Sequence, residues 1–154
     1  MSGVRDSLNG LALGIILSAA DKIGINPILL GRQSAKLLAP MLSGLVKQFL
    51  GVPTLKNMEE FLKELEVFSK NFGVLGKEPE LNYTGNILKI KVVECYWKEM
   101  SKYGKSMGYK ACPLCIAAMM MMSVIEGLGL NQVLGLKSES NGAACEVELA
   151  LEQK

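Results

Sequence analysis

The sequence predicts an α+β domain: a small antiparallel sheet packed by helices, with a helical N-terminal half followed by hairpin, helix and hairpin. Three observations carry that expectation. Apolar residues recur at helical spacing through the first half, strict alternation takes over near residue 80, and alternation returns at the end after one further apolar helix. A chain of 154 residues is long enough to bury a core of its own without disulfide support. No repeat, low-complexity tract or Pro- or Gly-rich linker divides it, so residues 1–154 are read as a single domain. Within it, 1–75 form the helical half and 80–152 the half that carries the chemistry.

Residues 3–22 read as a helix that is apolar almost all round, since Leu8, Leu11, Leu13, Ile15, Ile16 and Leu17 leave no clean polar face. Such a surface has to be covered. Gly10 and Gly14 would let a second helix approach closely, and one small sheet cannot bury the whole surface, so the expectation is a homodimer built partly on this helix. Asn26 and Pro27 look like an N-cap followed by a proline at the first helical position, opening a second helix that runs towards Leu50 and Gly51 with a kink near Pro40. Thr54 is the expected cap of a third helix. Its apolar positions Leu55, Met58, Leu62, Leu65 and Phe68 recur at three- and four-residue steps, with Glu59, Glu60, Lys63, Glu64 and Lys70 towards solvent and Gly73 as the stop.

Residues 80–83 and 87–95 then read as a hairpin joined through Thr84, Gly85 and Asn86. In its second strand Leu88, Ile90 and Val92 alternate with Lys89, Lys91 and Val93. Residues 97–110, rich in Lys, Gly and aromatics, are expected to be part helix and part loop. A helix resumes at Cys112 with Pro113 in its first turn, runs through Met119, Met120, Met121 and Met122 to Glu126, and is expected to be capped by Gly127. Two strands, at 132–138 and 144–151, complete the chain. In the last one Cys145, Val147, Leu149 and Leu151 share the core face, while Glu146, Glu148 and Glu152 share the other.

Nearly half of the residues are apolar (49%) and the net charge is only +2, so the chain collapses readily and presents no strong field to nucleic acid. The longest uncharged stretches, 7–20 and 111–125, are too short for a bilayer span. With only Arg5 before Asp6 and no A-x-A cleavage pattern after the apolar segment, no signal peptide is expected. A cytoplasmic location follows, where reduced thiols favour metal binding or redox work over structural disulfides.

Four cysteines and no histidine bound the chemistry. Without histidine there is no Ser-His or Cys-His catalysis and no mixed histidine metal site, and no catalytic set is read from the chain. Cys112 and Cys115 form a C-x-x-C that can hold one soft metal ion, with Cys95 and Cys145 available to complete a tetrahedral shell. Zinc is the expected ion, in a structural role, because four protein ligands leave no open position. Strict alternation from Leu88 would turn Cys95 to the wrong face, so either a bulge or the strand end redirects it, or Glu94 or Glu139 supplies the remaining ligand. Two other readings stay open. Cys112 and Cys115 at a helix N-terminus look like a glutaredoxin-type redox pair, although no proline follows Pro113, and free cysteines also serve as small buried hydrophobes. Met119, Met122 and Ile125, with Trp97 and Tyr103, are candidate walls of a pocket for an apolar ligand, with plain core packing as the alternative.

The C-terminal half also resembles a known family. Ala111-Cys112-Pro113-Leu114-Cys115 opening a small-residue helix, then Glu126-Gly127-Leu128-Gly129, then Ala143-Ala144-Cys145-Glu146-Val147-Glu148-Leu149 in the last strand, are similar to the 4-vinyl reductase, or hydrocarbon-binding, domain. The resemblance covers about residues 80–152. It implies an α+β fold shared with the vesicle-tethering TRAPP subunits and with haem nitric-oxide-binding domains, built around a pocket for small or lipidic ligands. In aromatic-sensing bacterial regulators that carry this domain, a structural zinc is held by cysteines and a glutamate beside the pocket. Cys115 matches the cysteine at the start of their last helix, and Cys145 the one in their final strand. The chain departs from the pattern in a shorter last turn, which holds Glu139 but no cysteine, and in having Cys112 and Cys95 besides. No nicotinamide or flavin motif accompanies the match, so a reductase activity is not implied. The expected function is therefore binding of an apolar small molecule by a domain with a structural zinc site, with a C-x-x-C redox protein and a ligand-free homodimeric assembly protein as the alternatives.

Overall fold

The computed structural model describes residues 12, 15, 16, 19–52, 54–72, 77–94, 106, 115–140 and 144–153. They build an α+β fold in the expected order: α1 (Pro27–Leu50), α2 (Met58–Phe72), β1 (Lys77–Thr84), β2 (Ile87–Val93), α3 (Ile116–Gly127), β3 (Val133–Ser140) and β4 (Ala144–Leu151). Ahead of α1, Ala12, Ile15, Ile16 and residues 19–22 are helical. That turn closes at Gly24, which takes φ 80°.

α1 begins as its sequence dictates. The Asn26 side chain accepts from the backbone N–H of Ile28 at 2.8 Å and of Leu29 at 3.4 Å, Pro27 occupies the first turn, and Gly51 in the left-handed region ends the helix. The helix continues through Pro40. α2 starts later than Thr54. Asn57 is its cap, because Asn57 Oδ1 accepts from Glu60 N (2.9 Å) while Glu60 Oε2 reaches back to accept from Lys56 N (2.9 Å), a reciprocal arrangement that Thr54 lacks. Met58 and Phe61 bury the inner face of α2, and it packs on β1.

The four strands pair antiparallel in the order β1-β2-β4-β3, so the last strand inserts beside the first hairpin. Thr84 and Ile87 pair directly, leaving Gly85 and Asn86 as a two-residue turn, with Gly85 at φ 64°. Pro79 falls in the register irregularity near the start of β1, on a sheet edge, where a missing N–H is tolerated. Leu88, Ile90 and Val92 of β2 and Val147, Leu149 and Leu151 of β4 face the helices and are buried. Lys89, Lys91, Lys137, Glu139, Glu146 and Glu148 occupy the other face, which is open to solvent and partly paired, as in Lys89–Glu148 at 3.5 Å.

α3 ends at Gly127 itself, and its cap is Leu128, one residue beyond the expected Gly127 cap. Gly129 takes the left-handed conformation (φ 68°), with Gly129 N bonded to Glu126 O and Leu130 N to Ile125 O, both at 3.0 Å. This double bond pattern needs its glycine after the cap residue Leu128, and it brings the buried side chains Ile125 and Leu130 together. No helix among the described residues is long and apolar enough to cross a membrane.

Candidate functional site

α3 is the element on which the candidate chemistry converges. It is apolar on almost every side, and it fits because it lies between α1 and the sheet. Met122 and Ile125 are fully enclosed, Met121 and Ala118 nearly so, Met119 is half-buried, and Met120 is exposed. The methionine run thus divides by helical phase into core and surface. The contact with α1 is close at one point. A Cβ placed on Gly31 would lie 2.7 Å from Met122 Sδ, so the glycine is what admits the thioether. Beside it the Ser123 hydroxyl, itself buried, donates to Met119 O (2.7 Å) with Gly31 O also in reach at 3.2 Å.

At its C-terminal end α3 is clamped by charge. Arg32 of α1 meets Glu126 through two bonds, Nε to Oε2 at 3.1 Å and Nη2 to Oε1 at 3.2 Å, and Nη2 also donates to Val133 O at 3.0 Å. Glu126 Oε1 accepts from Val133 N at 2.9 Å. Four hydrogen bonds therefore tie α1, α3 and the first residue of β3 at one place. The hydrogen bonds that Arg32 donates to Glu126, reinforced by the carboxylate's charge, hold the guanidinium above its ordinary pKa, against the opposing effect of desolvation. Sequence reasoning had assigned no role to Arg32, although a lone charge in the apolar run 28–35 is a signal of that kind.

Of the two described cysteines, Cys115 sits at the other end of α3 and Cys145 on β4. Cys115 is buried at the N-cap position, and its carbonyl accepts from Met119 N at 3.0 Å. Cys145 is half-buried on the core face of β4, directly across from Val92 of β2 and Ser140 of β3. Because α3 leads through a tight turn into β3, its start lies towards the end of β3, which is where β4 begins. The topology therefore brings Cys115 and Cys145 to the same end of the sheet. β2 also finishes there. Strand β2 stops at Val93 and Glu94 takes φ 49°, so the alternation expected to run to 95 is broken before it gets there. Glu139 pairs with Glu146 on the solvent face, the face opposite Cys145. Cys95, Cys112, Trp97 and Tyr103 lie outside the described residues. Among the described residues no three of His, Cys, Asp and Glu are placed so that they could hold one metal ion. A tetrahedral shell takes four ligands, two more than Cys115 and Cys145 could supply.

No family model matches the chain, and no curated protein matches it. A solved structure does. A trafficking protein particle complex subunit 3 from Naegleria fowleri, crystallised covalently bound to palmitic acid, superimposes with a TM-score of 0.56 over 98% of this chain and 97% of that one, at 14% identity. At that identity the likeness shows the fold, which is the one the sequence resemblance implied for the TRAPP subunits.

Proposed function

We propose that this chain is a binding domain for an apolar, hydrocarbon-like molecule, with a structural zinc held by its cysteines at the end of the sheet where Cys115 and Cys145 lie. The observation that carries the reading is the fold match along almost the whole chain to a protein that was solved with a palmitic acid attached. α3 presents enclosed thioethers and small residues between α1 and the sheet, a flexible and polarizable wall suited to an alkyl or aromatic guest. Kinship with the 4-vinyl reductase domain belongs to the same proposal, and rests on Cys115 and Cys145 at the start of the last helix and in the final strand. Mass spectrometry of solvent extracts from natively purified protein tests the ligand. An apolar molecule at a defined fraction of the protein is expected, and ligand-free protein that takes up no added palmitic acid would end the reading.

Assembly is a second reading, favoured by a specific observation. Ile15, Ile16, Ile23, Leu29, Leu37 and Met41 are large apolar side chains, all at least half exposed, on the N-terminal helical turns and one side of α1. Leu29, Leu37 and Met41 stand at multiples of four residues and form one ridge. A homodimer that buries this ridge would remove an unfavourable apolar surface from water. Light scattering across a wide concentration range decides it, and a monomer throughout would dismiss it.

A further inference from the structure

We propose a second binding site, for a small uncharged hydroxylated ring such as a sugar, in the cleft of about 490 Å³ beneath the β1–β2 turn, at the end of the sheet away from the cysteines. The cleft gathers the start of α2, the first hairpin, the turn after α3 and the residues after β4. Four carboxamides line it, those of Asn57, Asn86, Asn131 and Gln153, and the three asparagines are each pinned by one of their own atoms. Asn57 Oδ1 accepts from Glu60 N (2.9 Å), Asn131 Oδ1 accepts from Gln132 N (2.7 Å), and Asn86 Nδ2 donates to Leu151 O (3.2 Å). What remains on each is fixed in kind: an NH2 donor on Asn57, an NH2 donor on Asn131 and a carbonyl acceptor on Asn86. Supporting bonds of this sort preorganise a site, because the amides need not be ordered when a ligand arrives.

The rest of the lining narrows the ligand class. Met58 and Leu130 are buried and Tyr83 is half-buried, so the floor is apolar with one phenolic hydroxyl. Lys56 and Glu152 both line the cleft and cancel in charge. The N-terminus of α2 adds little attraction for an anion, since Glu59 and Glu60 occupy its first turn. A site with fixed donors, a fixed acceptor, an apolar floor and no net charge matches hydroxyl groups, which both donate and accept, carried on a ring with an apolar face.

The test is an NMR titration of the whole chain with glucose, and separately with inorganic phosphate, followed through the Asn side-chain amides and the backbone signals of residues 85–86 and 130–131. Glucose should give saturable shifts confined to those signals, and phosphate should not. Tyr83→Phe, which removes one hydroxyl, and Asn131→Ala, which removes one donor, should each weaken glucose binding about three- to tenfold, the loss of a single neutral hydrogen bond. The remaining spectrum of Tyr83→Phe should stay unchanged, so that the test stands even where Asn131→Ala disturbs its turn. Saturation by phosphate instead of glucose, no saturable shift with glucose, or affinity untouched by both variants would overturn the assignment.

Discussion

Removal of Arg32 should be among the most costly single changes on the surface of this protein. The Glu126 side chain is only 10% exposed and receives donors from Arg32 Nε, Arg32 Nη2 and Val133 N, while Val133 O depends on Arg32 Nη2. Arg32→Ala leaves that carboxylate with one donor and Val133 O without its side-chain partner. Breaking a fully buried pair from one side costs about 3–5 kcal/mol. Arg32 is 31% exposed, so water can replace part of the loss, and about 2–3 kcal/mol is the expected cost. For a chain of this size that corresponds to a fall of roughly 4–12 °C in Tm. Glu126→Gln keeps an acceptor for Val133 N and one guanidinium contact, and should cost about 1 kcal/mol. Arg32→Lys should fall between, because an ammonium keeps the charge but not the two-pronged geometry. The solvent-exposed Lys70–Glu66 pair provides the control, with Lys70→Ala changing stability by less than about 0.5 kcal/mol. Urea unfolding followed by circular dichroism, with the slope m unchanged across the set, is the assay. The raised pKa of Arg32 means that deprotonation of this guanidinium removes stability only as pH rises through the folded value, so its titration adds no pH dependence near neutrality. Arg32→Ala within about 0.5 kcal/mol of wild type, or full recovery by Arg32→Lys, would refute the clamp.

Three further outcomes follow from the packing and the cysteine end. Met122→Ala should cost about 2–5 kcal/mol as an enclosed side chain, and Gly31→Ala about 1–3 kcal/mol because the new methyl meets the Met122 thioether; the double variant should cost less than the sum, and denaturant titration of all three checks this. Purified protein should carry about one zinc per chain by elemental analysis, and Cys115→Ser or Cys145→Ser should release it and lower Tm, whereas fully titratable thiols with no metal would remove the zinc proposal. Leu37→Asp, at a side chain that is 78% exposed, should dissociate the proposed dimer in sedimentation velocity without loss of helical signal, and an unchanged sedimentation coefficient would count against the α1 ridge as the contact.

The architecture was legible in the sequence because its signals are local. The Asn26-Pro27 start and Gly51 stop of α1, the alternation from Leu88 to Val92 and the Gly85-Asn86 turn each depend on residues within a few positions of one another, and they bound α1 and both hairpins to within a few residues. Where two local signals competed, the boundary moved: the reciprocal bonds of Asn57 and Glu60 prevailed over Thr54, and the left-handed Gly129 prevailed over Gly127. The face of Cys145 was also set locally, by alternation with Val147 and Leu149. What tertiary structure alone decided are relations between distant residues. Arg32 and Glu126 are 94 positions apart, and no periodicity reports that an arginine on one helix will complete a carboxylate on another. The division of the methionines was undetermined for the same reason: a helix apolar on every side has no phase to read, so only the arrival of α1 at Gly31 and of the sheet beneath fixed Met122 as core and Met120 as surface. Insertion of β4 between β2 and β3 was likewise invisible in the chain order, yet that strand order puts Cys145 across from Val92, at the end of the sheet where α3 begins.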